Sequence, residues 1–474
     1  MNLHIENASP FETTSDCLFV GLFRSEEGDK GKPLFPSNLK KIAPLLEEAI
    51  STKVFTAKKN EKIFLRNANI GKTKHLLAVG LGHEKKDLLP TLYQAALKGG
   101  STLVQEKISS VSLFVPSFIE GKLDLQTSAQ QLALGIYEST YSFNEYKAEK
   151  ETPSLATLIL VSDNKREESA LQKGSETATK IFDGIKLAKD LCNTPPNFLT
   201  PEKLVEWGKK ATTTHGVKAT IFDEPKLEKA KMGGILAVGQ GSKNPPRLLV
   251  LEYKHSKATA KDKICIVGKG VTFDSGGINI KPSQGMEDMK YDMGGAAMMI
   301  GTTLAAAALK LPIHLITIVP SAENMPSGTA SRPSDVITML NGKTIEINNT
   351  DAEGRLILAD ALTYAHTFKP NVIINSATLT GGVLIALGSV AAGLFSNNPK
   401  LAEQIKEASK RTGEKVWELP LFEEYKEDLQ SGIADYRNSG GREASPSKGG
   451  TFLHFFIENH QPWAHLDIAG VAWA

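Results

Sequence analysis

The 474-residue sequence is poor in cysteine, with only Cys17, Cys192 and Cys265. An odd number of thiols without C-x-x-C spacing excludes a disulfide framework or a zinc knuckle and suits a reducing compartment. Charge of one sign is also lacking: 55 Lys and Arg stand against 53 Asp and Glu, a formal charge of +2. Nothing in that balance is built to wrap a polyanion, so nucleic acid is not an expected partner, although a local basic stripe could hide in it. There is no long apolar run, because the most apolar window, Gly381 to Phe395, is glycine-rich and shorter than the ~20 residues of a membrane span. The N-terminus has no basic stretch ahead of an apolar segment and a cleavage site, so a signal peptide is not expected and a cytoplasmic location is. No G-x-S-x-G elbow, internal repeat or low-complexity tract occurs. Gly71-Lys72-Thr73 lacks the earlier glycine of a phosphate loop, since position 66 is Arg66. His83-Glu84 reaches Asp87 where a zinc-protease helix needs its second histidine. Cys265, inside an apolar run, reads as packing rather than as a nucleophile.

What is present is an ordinary globular composition, 41% hydrophobic and 23% charged, at a length that suggests two or three domains at ~150 residues each. From the start to about Asp163, apolar runs such as Cys17-Leu-Phe-Val-Gly, Leu76-Leu-Ala-Val-Gly and Ser112-Leu-Phe-Val alternate with helix-like stretches at Leu39 to Ala49 and Leu89 to Lys98. That pattern predicts a small α/β domain over 1–164. Helical spacing of Ala178, Ile181, Ile185 and Ala188 predicts a linking helix over 165–192, stopped by Asn193-Thr-Pro-Pro-Asn. Beyond it, 193–474 alternates again. Near-continuous apolar runs at Lys218, Arg247, Ile264, His314 and Val372 predict a larger α/β domain whose sheet is covered by helices on both faces.

Three segments of this second domain place carboxylates at unusual positions. Val267-Gly-Lys-Gly-Val-Thr-Phe-Asp-Ser-Gly-Gly carries Lys269 and Asp274 off the end of a buried strand, where α/β sheets bind ligands. Asp292 precedes an alanine-rich helix and by itself reads first as an N-cap. Asp351 and Glu353 stand at i and i+2 before an apolar helix, so an extended segment would point both to one side. Adjacent acids repel unless a cation offsets them. If the loops converge, four carboxylates with few nearby counter-charges call for two divalent cations, the outline of a two-metal hydrolase site.

Asn349-Thr-Asp-Ala-Glu-Gly-Arg-Leu356 resembles the eight-residue signature of the cytosolic leucyl aminopeptidases. The likeness continues through Val267 to Gly277, Ile280-Lys281, Asp292-Met-Gly-Gly-Ala-Ala, Ser321-Ala-Glu-Asn-Met, Ala377-Thr-Leu-Thr-Gly, Asn438-Ser-Gly-Gly-Arg-Glu-Ala and His465-Leu-Asp-Ile-Ala-Gly-Val. It covers essentially the whole second domain and only weakly the first, for which it implies a macro-like fold. The resemblance implies a tighter metal held by Lys269, Asp274, Asp292 and Glu353, and a more exchangeable one held by Asp274, Asp351 and Glu353. Zinc or manganese is implied, with magnesium admissible. A lysine ligand must be neutral, and a salt bridge to these acids is the plainer reading of Lys269. The resemblance also implies that Lys281 polarises the scissile carbonyl and that Arg355 holds a bicarbonate acting as general base. Met289, Thr378, Gly381, Ala469 and Ala472 would form the apolar wall of a side-chain pocket.

These implications add up to a cytoplasmic aminopeptidase that releases N-terminal residues, Leu and Met preferentially, without a covalent intermediate. Peptides would be its substrates and a homo-hexamer, a dimer of trimers, its assembly, with no membrane partner. A nucleic-acid-binding regulator and a catalytically silent homologue are the competing readings; the charge balance opposes the first and the complete residue set the second. Two departures stand out. Ser334 occupies the place of a glycine in the family's Arg-Pro-Gly-Asp, and the sequence stops at Trp473-Ala474 where relatives continue with a basic and apolar segment.

Overall fold

The computed structural model describes residues 1–25, 31–83, 88–119 and 123–472. Glu84 to Asp87, which complete the His83 motif, and Trp473-Ala474 lie outside the described residues. The chain divides into one unit of Met1–Phe182 with Lys410–Gly413 and a second of Asp183–Ser409 with Glu414–Ala474. The division falls inside a helix spanning Glu168–Asn193.

In the first unit the described strands form a six-stranded sheet in the order Asn2–Asn7, Thr157–Ser162, Ser110–Phe114, Cys17–Phe23, His75–Gly82, Lys62–Leu65. All neighbours are parallel except the last pair. Every residue of Cys17–Phe23 is buried, as a central strand covered on both faces requires. Gly71-Lys72-Thr73 forms a turn in which the Thr73 hydroxyl donates to the Ile70 carbonyl, and a strand follows it where a phosphate loop needs a helix.

The second unit holds a nine-stranded mixed sheet in the order Val416–Glu418, Ala392–Ser396, Trp463–Asp467, Val372–Ala377, Lys263–Gly268, His314–Asn324, Arg247–Lys254, Lys218–Phe222, with Gly270–Asp274 added beside the far half of His314–Asn324. Alternation along Lys263–Gly268 explains its unbroken apolarity. Cys265 and Val267 enter the core beneath the helix Gly354–Ala365, while Ile264 and Ile266 pack against the core of the helix Gly294–Ala308. The buried Cys17 and Cys265 thiols are held above the ordinary thiol value by burial, and Cys192 is pushed up to about 12 by the same cause. The apolar window from Gly381 divides into a short helix, Gly381–Leu387, and the strand Ala392–Ser396. No helix among the described residues is long and apolar enough to cross a membrane.

A three-stranded sheet of Asp335–Thr338, Thr344–Ile347 and Tyr436–Arg437 completes the unit. Ser334 enters it at φ 77, in the left-handed region, while its N–H donates to the Ile347 carbonyl at 2.7 Å. A side chain there is strained, which accounts for the glycine of the Arg-Pro-Gly-Asp pattern. Ser334→Gly is therefore expected to stabilise the protein by about 1 kcal/mol, the relieved strain outweighing the added freedom of the unfolded chain. Thermal unfolding reads this directly, and an unchanged or lower Tm would show that the backbone there carries no strain.

Candidate metal centre

The strands Lys263–Gly268 and Val372–Ala377 run parallel, with Gly268 opposite Ser376, so Lys269 and Thr378 emerge together at their carboxyl ends. The backbone of Lys269 is pinned on both sides: its N–H donates to Ser376 O at 3.1 Å and its carbonyl accepts from Ala296 N at 2.8 Å, at the start of the Gly294–Ala308 helix. Its side chain crosses over Gly354, where a Cβ would lie 2.4 Å from Lys269 Cε, so any larger residue at that point of the signature would displace the buried lysine side chain. The strand Gly270–Asp274 then carries Asp274 to a position opposite Asn324.

Asp292 is not the helix cap its position suggests. The helix starts at Gly294 with Met293 in the cap position and no side-chain capping bond. Asp292 turns inward instead, Oδ1 lying 2.7 Å from Lys269 Nζ and 2.8 Å from the Thr378 hydroxyl. Asp351 and Glu353 also differ from expectation, because the segment is a turn at Thr350-Asp351 running straight into the Gly354–Ala365 helix rather than an extended run. Glu353 has the helical dihedrals φ −76 and ψ −37. The turn brings carboxylate oxygens of Asp274, Asp351 and Glu353 within 4.8 Å of one another.

The counter-charge is larger than the sequence suggests. Lys269 Nζ lies 2.7 Å from Asp292, 2.8 Å from Glu353 and 2.9 Å from the Thr378 carbonyl, a fully engaged ammonium and thus the salt-bridge arrangement. Lys281 Nζ joins Asp274 at 2.8 Å to Asp351 at 2.6 Å. These ammonium groups still leave the carboxylates with the surplus charge. Burial, reinforced by Glu353, pushes Asp274 up to about 6 against the pull of Lys281 and Lys269. Burial raises Asp292 well above the carboxylate range and raises Asp351 as well, Lys269 and Lys281 respectively opposing it. Burial alone would raise Glu353, but Lys269 and then Lys281 outweigh it and hold it low. Burial also works against both lysines, yet Asp292 and Glu353 keep Lys269 above its ordinary value, as Asp274 and Glu353 keep Lys281. Asp292 Oδ2 is buried without a hydrogen-bond partner. An oxygen-rich, over-acidic cluster with an orphaned carboxylate oxygen fits divalent cations.

Arg355 follows on the first turn of the Gly354–Ala365 helix. Its Nη1 donates to Asn438 O at 2.9 Å, while its buried Nε has no partner. Burial lowers its value to about 10, with Glu353 and Asp467 opposing. A buried guanidinium with an unused N–H fits a small planar anion. Of the proposed pocket wall, Thr378 and Ala472 come together: a Cβ built on Gly294 would meet Ala472 Cβ at 3.6 Å and Thr378 Cγ2 at 3.8 Å, with Ile468 also at 3.8 Å. The Thr378 hydroxyl is committed to Asp292, leaving its methyl as the apolar contribution. Ala469 is buried beside Ile468, Met289 lies half-buried on the turn Met286–Tyr291, and a Cβ on exposed Gly381 would meet open space.

Several residues that hold the centre carry no role in the sequence reading. Asn324 Nδ2 donates to Asp274 Oδ1 at 2.8 Å and to Thr350 O at 3.0 Å. Thr350 N donates to Asn279 Oδ1 and Asn279 N to Thr350 Oγ1, both at 2.8 Å. Asp467 accepts from Leu379 N, Thr380 N and the Thr380 hydroxyl, fixing the loop that follows Thr378. Asn324, Asn438 and Asp467 lie in segments that carry the resemblance, but a buried polar side chain far from its partners in sequence leaves no periodic signal.

Known proteins share this arrangement at the level of sequence and fold. The model of the cytosol aminopeptidase family, catalytic domain, matches residues 186–474, and that of the same family's N-terminal domain matches residues 19–150. A probable cytosol aminopeptidase of Nitrosospira multiformis is 39% identical over 485 residues, spanning 100% of this chain and 91% of that protein. One of Azotobacter vinelandii is 46% identical over 352 residues, 74% of this chain and 70% of that protein. Among solved structures, a mutant of tomato leucine aminopeptidase superposes with a TM-score of 0.89 at 31% identity, covering 99% of this chain and 92% of its own. The bottromycin maturation enzyme BotP in complex with Mn gives 0.83 at 30% identity, with coverage of 96% and 93%.

Proposed function

The chain belongs to the cytosol aminopeptidase family, a metal-dependent peptidase family, and from that premise we propose that it releases N-terminal residues, preferentially Leu and Met, from peptides at the Asp274, Asp351 and Glu353 cluster. The observation that carries this reading is the convergence of those carboxylates with Asp292, Lys269 and Lys281 at the ends of parallel strands. Asp274 and Glu353 would each hold two cations, Asp292 and a deprotonated Lys269 completing one set and Asp351 the other. Zinc or manganese suits the mixed nitrogen and oxygen donors, and magnesium the oxygens. Bound there, divalent cations supply Lewis acidity and a water acidic enough to attack near neutral pH.

The chain's own groups would do the rest. Lys281, whose Nζ lies beside Asp274 and Asp351, would present its ammonium to the scissile carbonyl oxygen and stabilise the charge that develops on it. Arg355 would hold bicarbonate through its unused Nε, and the anion would supply a general base beside the carboxylate cluster. No side chain need be acylated. Met289, Gly381, Ala469, Ala472 and the Thr378 methyl would receive the substrate's first side chain and exclude charge from it.

An apolar wall leaves a carboxylate desolvated and unpaired, so kcat/KM on leucyl anilide should exceed that on glutamyl anilide by about a hundredfold or more. Equal values would overturn the Leu and Met preference. Chelation should abolish turnover and manganese should restore it. Arg355→Lys, which loses the planar fork, should slow turnover and respond to added bicarbonate; an unchanged rate without that response would remove bicarbonate from the reading. Large apolar side chains exposed on this unit, among them Ile385, Val390, Trp417, Phe422 and Ile433, suit a self-association surface, and the homo-hexamer, a dimer of trimers, that the family resemblance implies is tested by light scattering on the purified protein. A cytoplasmic location, without membrane or nucleic-acid partners, accords with the charge balance and the family.

A further inference from the structure

We propose that Asn438 is a positioning residue that holds the carboxylate turn and the Arg355 guanidinium in one frame. The strand Tyr436–Arg437 runs parallel to Thr344–Ile347, with Ile345 opposite Tyr436 and Glu346 opposite Arg437, and Asn438 N extends this ladder by donating to Glu346 O at 3.0 Å. Past Ile347 the partner chain turns away toward Asp351 and Glu353, and a backbone ladder cannot follow it. The Asn438 side chain takes over. Its Oδ1 accepts from Asn348 N at 3.0 Å and Asn349 N at 3.3 Å, and its Nδ2 donates to Asn349 O at 2.7 Å and Ala352 O at 3.3 Å. One amide thereby grips both shoulders of the turn that presents Asp351, and its own backbone carbonyl accepts from Arg355 Nη1.

Only a carboxamide offers an acceptor and a donor pair in one plane. A carboxylate of the same shape would turn an acceptor toward two carbonyls. The residue is fully buried, so water cannot replace the lost partners. The other side of the turn is held by Asn279 and Asn324, which tie Thr350 to the Asp274 loop. Without the Asn438 side chain the backbone at Asn349 and Ala352 would lose its hold, and the spacing among Asp274, Asp351 and Glu353 would loosen. The strand itself stays anchored without this side chain. Asn348 and Ser439 exchange two hydrogen bonds at 2.9 and 3.0 Å, and Asp435 accepts from Thr344 N and Oγ1.

The inference rests on the proposed reading of these carboxylates as cation ligands, and the test separates the two. Metal-free wild type, Asn438→Ala and Asp435→Ala are titrated with manganese(II) alone for Kd, assayed at saturating manganese for kcat and KM, and melted for Tm. Outer hydrogen-bond partners of metal ligands typically contribute 10- to 100-fold, so Asn438→Ala should weaken manganese binding by about tenfold or more and lower kcat similarly at saturation, with KM within about twofold. Asp435→Ala, which loosens the same strand elsewhere, should lower Tm and leave Kd and kcat unchanged. Wild-type Kd and kcat in Asn438→Ala would overturn the positioning role. Failure of the wild type to bind manganese would overturn the underlying reading instead. If Asn438→Ala does not fold, the isosteric Asn438→Asp is measured in its place with the same expected losses. Failure of both to fold would make the residue a global support and overturn the claim.

Discussion

Glu353→Gln is expected to reduce turnover by roughly a thousandfold or more while leaving the protein folded, because it removes a ligand from the cluster without changing its shape. Glu353 is buried, sits on the last residue before the Gly354–Ala365 helix, and is one of the carboxylates gathered within 4.8 Å. In the proposed site it serves both cations, so no neighbouring acid can substitute for it. The glutamine keeps an oxygen for Lys269, which also retains Asp292 and the Thr378 carbonyl, so no buried ammonium is left alone. The neutral glutamine gives up the attraction by which Lys269 and Lys281 hold the ionised Glu353 low, so Tm should fall modestly while the protein stays folded. Metal content and kcat measured together decide the matter. Full turnover by a metal-loaded Glu353→Gln enzyme would end the two-metal assignment.

Lys281→Ala should lower kcat by about 10²- to 10³-fold with little change in KM, the signature of a charge needed where the oxyanion develops. The structure adds a second expectation of opposite sign. Lys281 Nζ now bridges Asp274 and Asp351, so the ammonium and a cation compete for the same carboxylates. Taking the ammonium away should leave manganese affinity equal or tighter. A variant that loses metal as well as activity would show that Lys281 builds the site rather than acting on substrate. A raised KM at unchanged kcat would make it a binding group for the ground state.

Much of the secondary structure was legible because burial imposes periodicity. The runs at Lys218, Arg247, Ile264, His314 and Val372 are all strands, and the apolar stretch after Glu353 is a helix. The signature Asn349 to Leu356 likewise marked the acids, since its spacing is local. The misread details involve partners distant in sequence. Asp292 looks like a cap beside an alanine-rich helix, but Lys269, which draws it inward, is placed by strand pairing. Asp351 and Glu353 suggest an extended pair, but a bond from Thr350 N to Asn279 and bonds donated by Asn324 and Asn438 hold the segment in a turn. The acids seemed short of counter-charge until the fold brought Lys269 and Lys281 among them.

Local pattern and short-range spacing, written along the chain, made the two α/β modules and the family legible and marked acids that the fold gathers, Asp274, Asp351 and Glu353. How those residues meet depends on long-range packing. Lys269 and Asp274 leave the ends of parallel strands, Asp292, Asp351 and Glu353 come from turns that precede two helices, and the contacts of Lys269 with Asp292 and of Asn438 with Ala352 span 23 and 86 residues. Such contacts form when sheet register brings distant loops together and burial drives the polar groups there to pair, Asp292 Oδ2 and Arg355 Nε excepted.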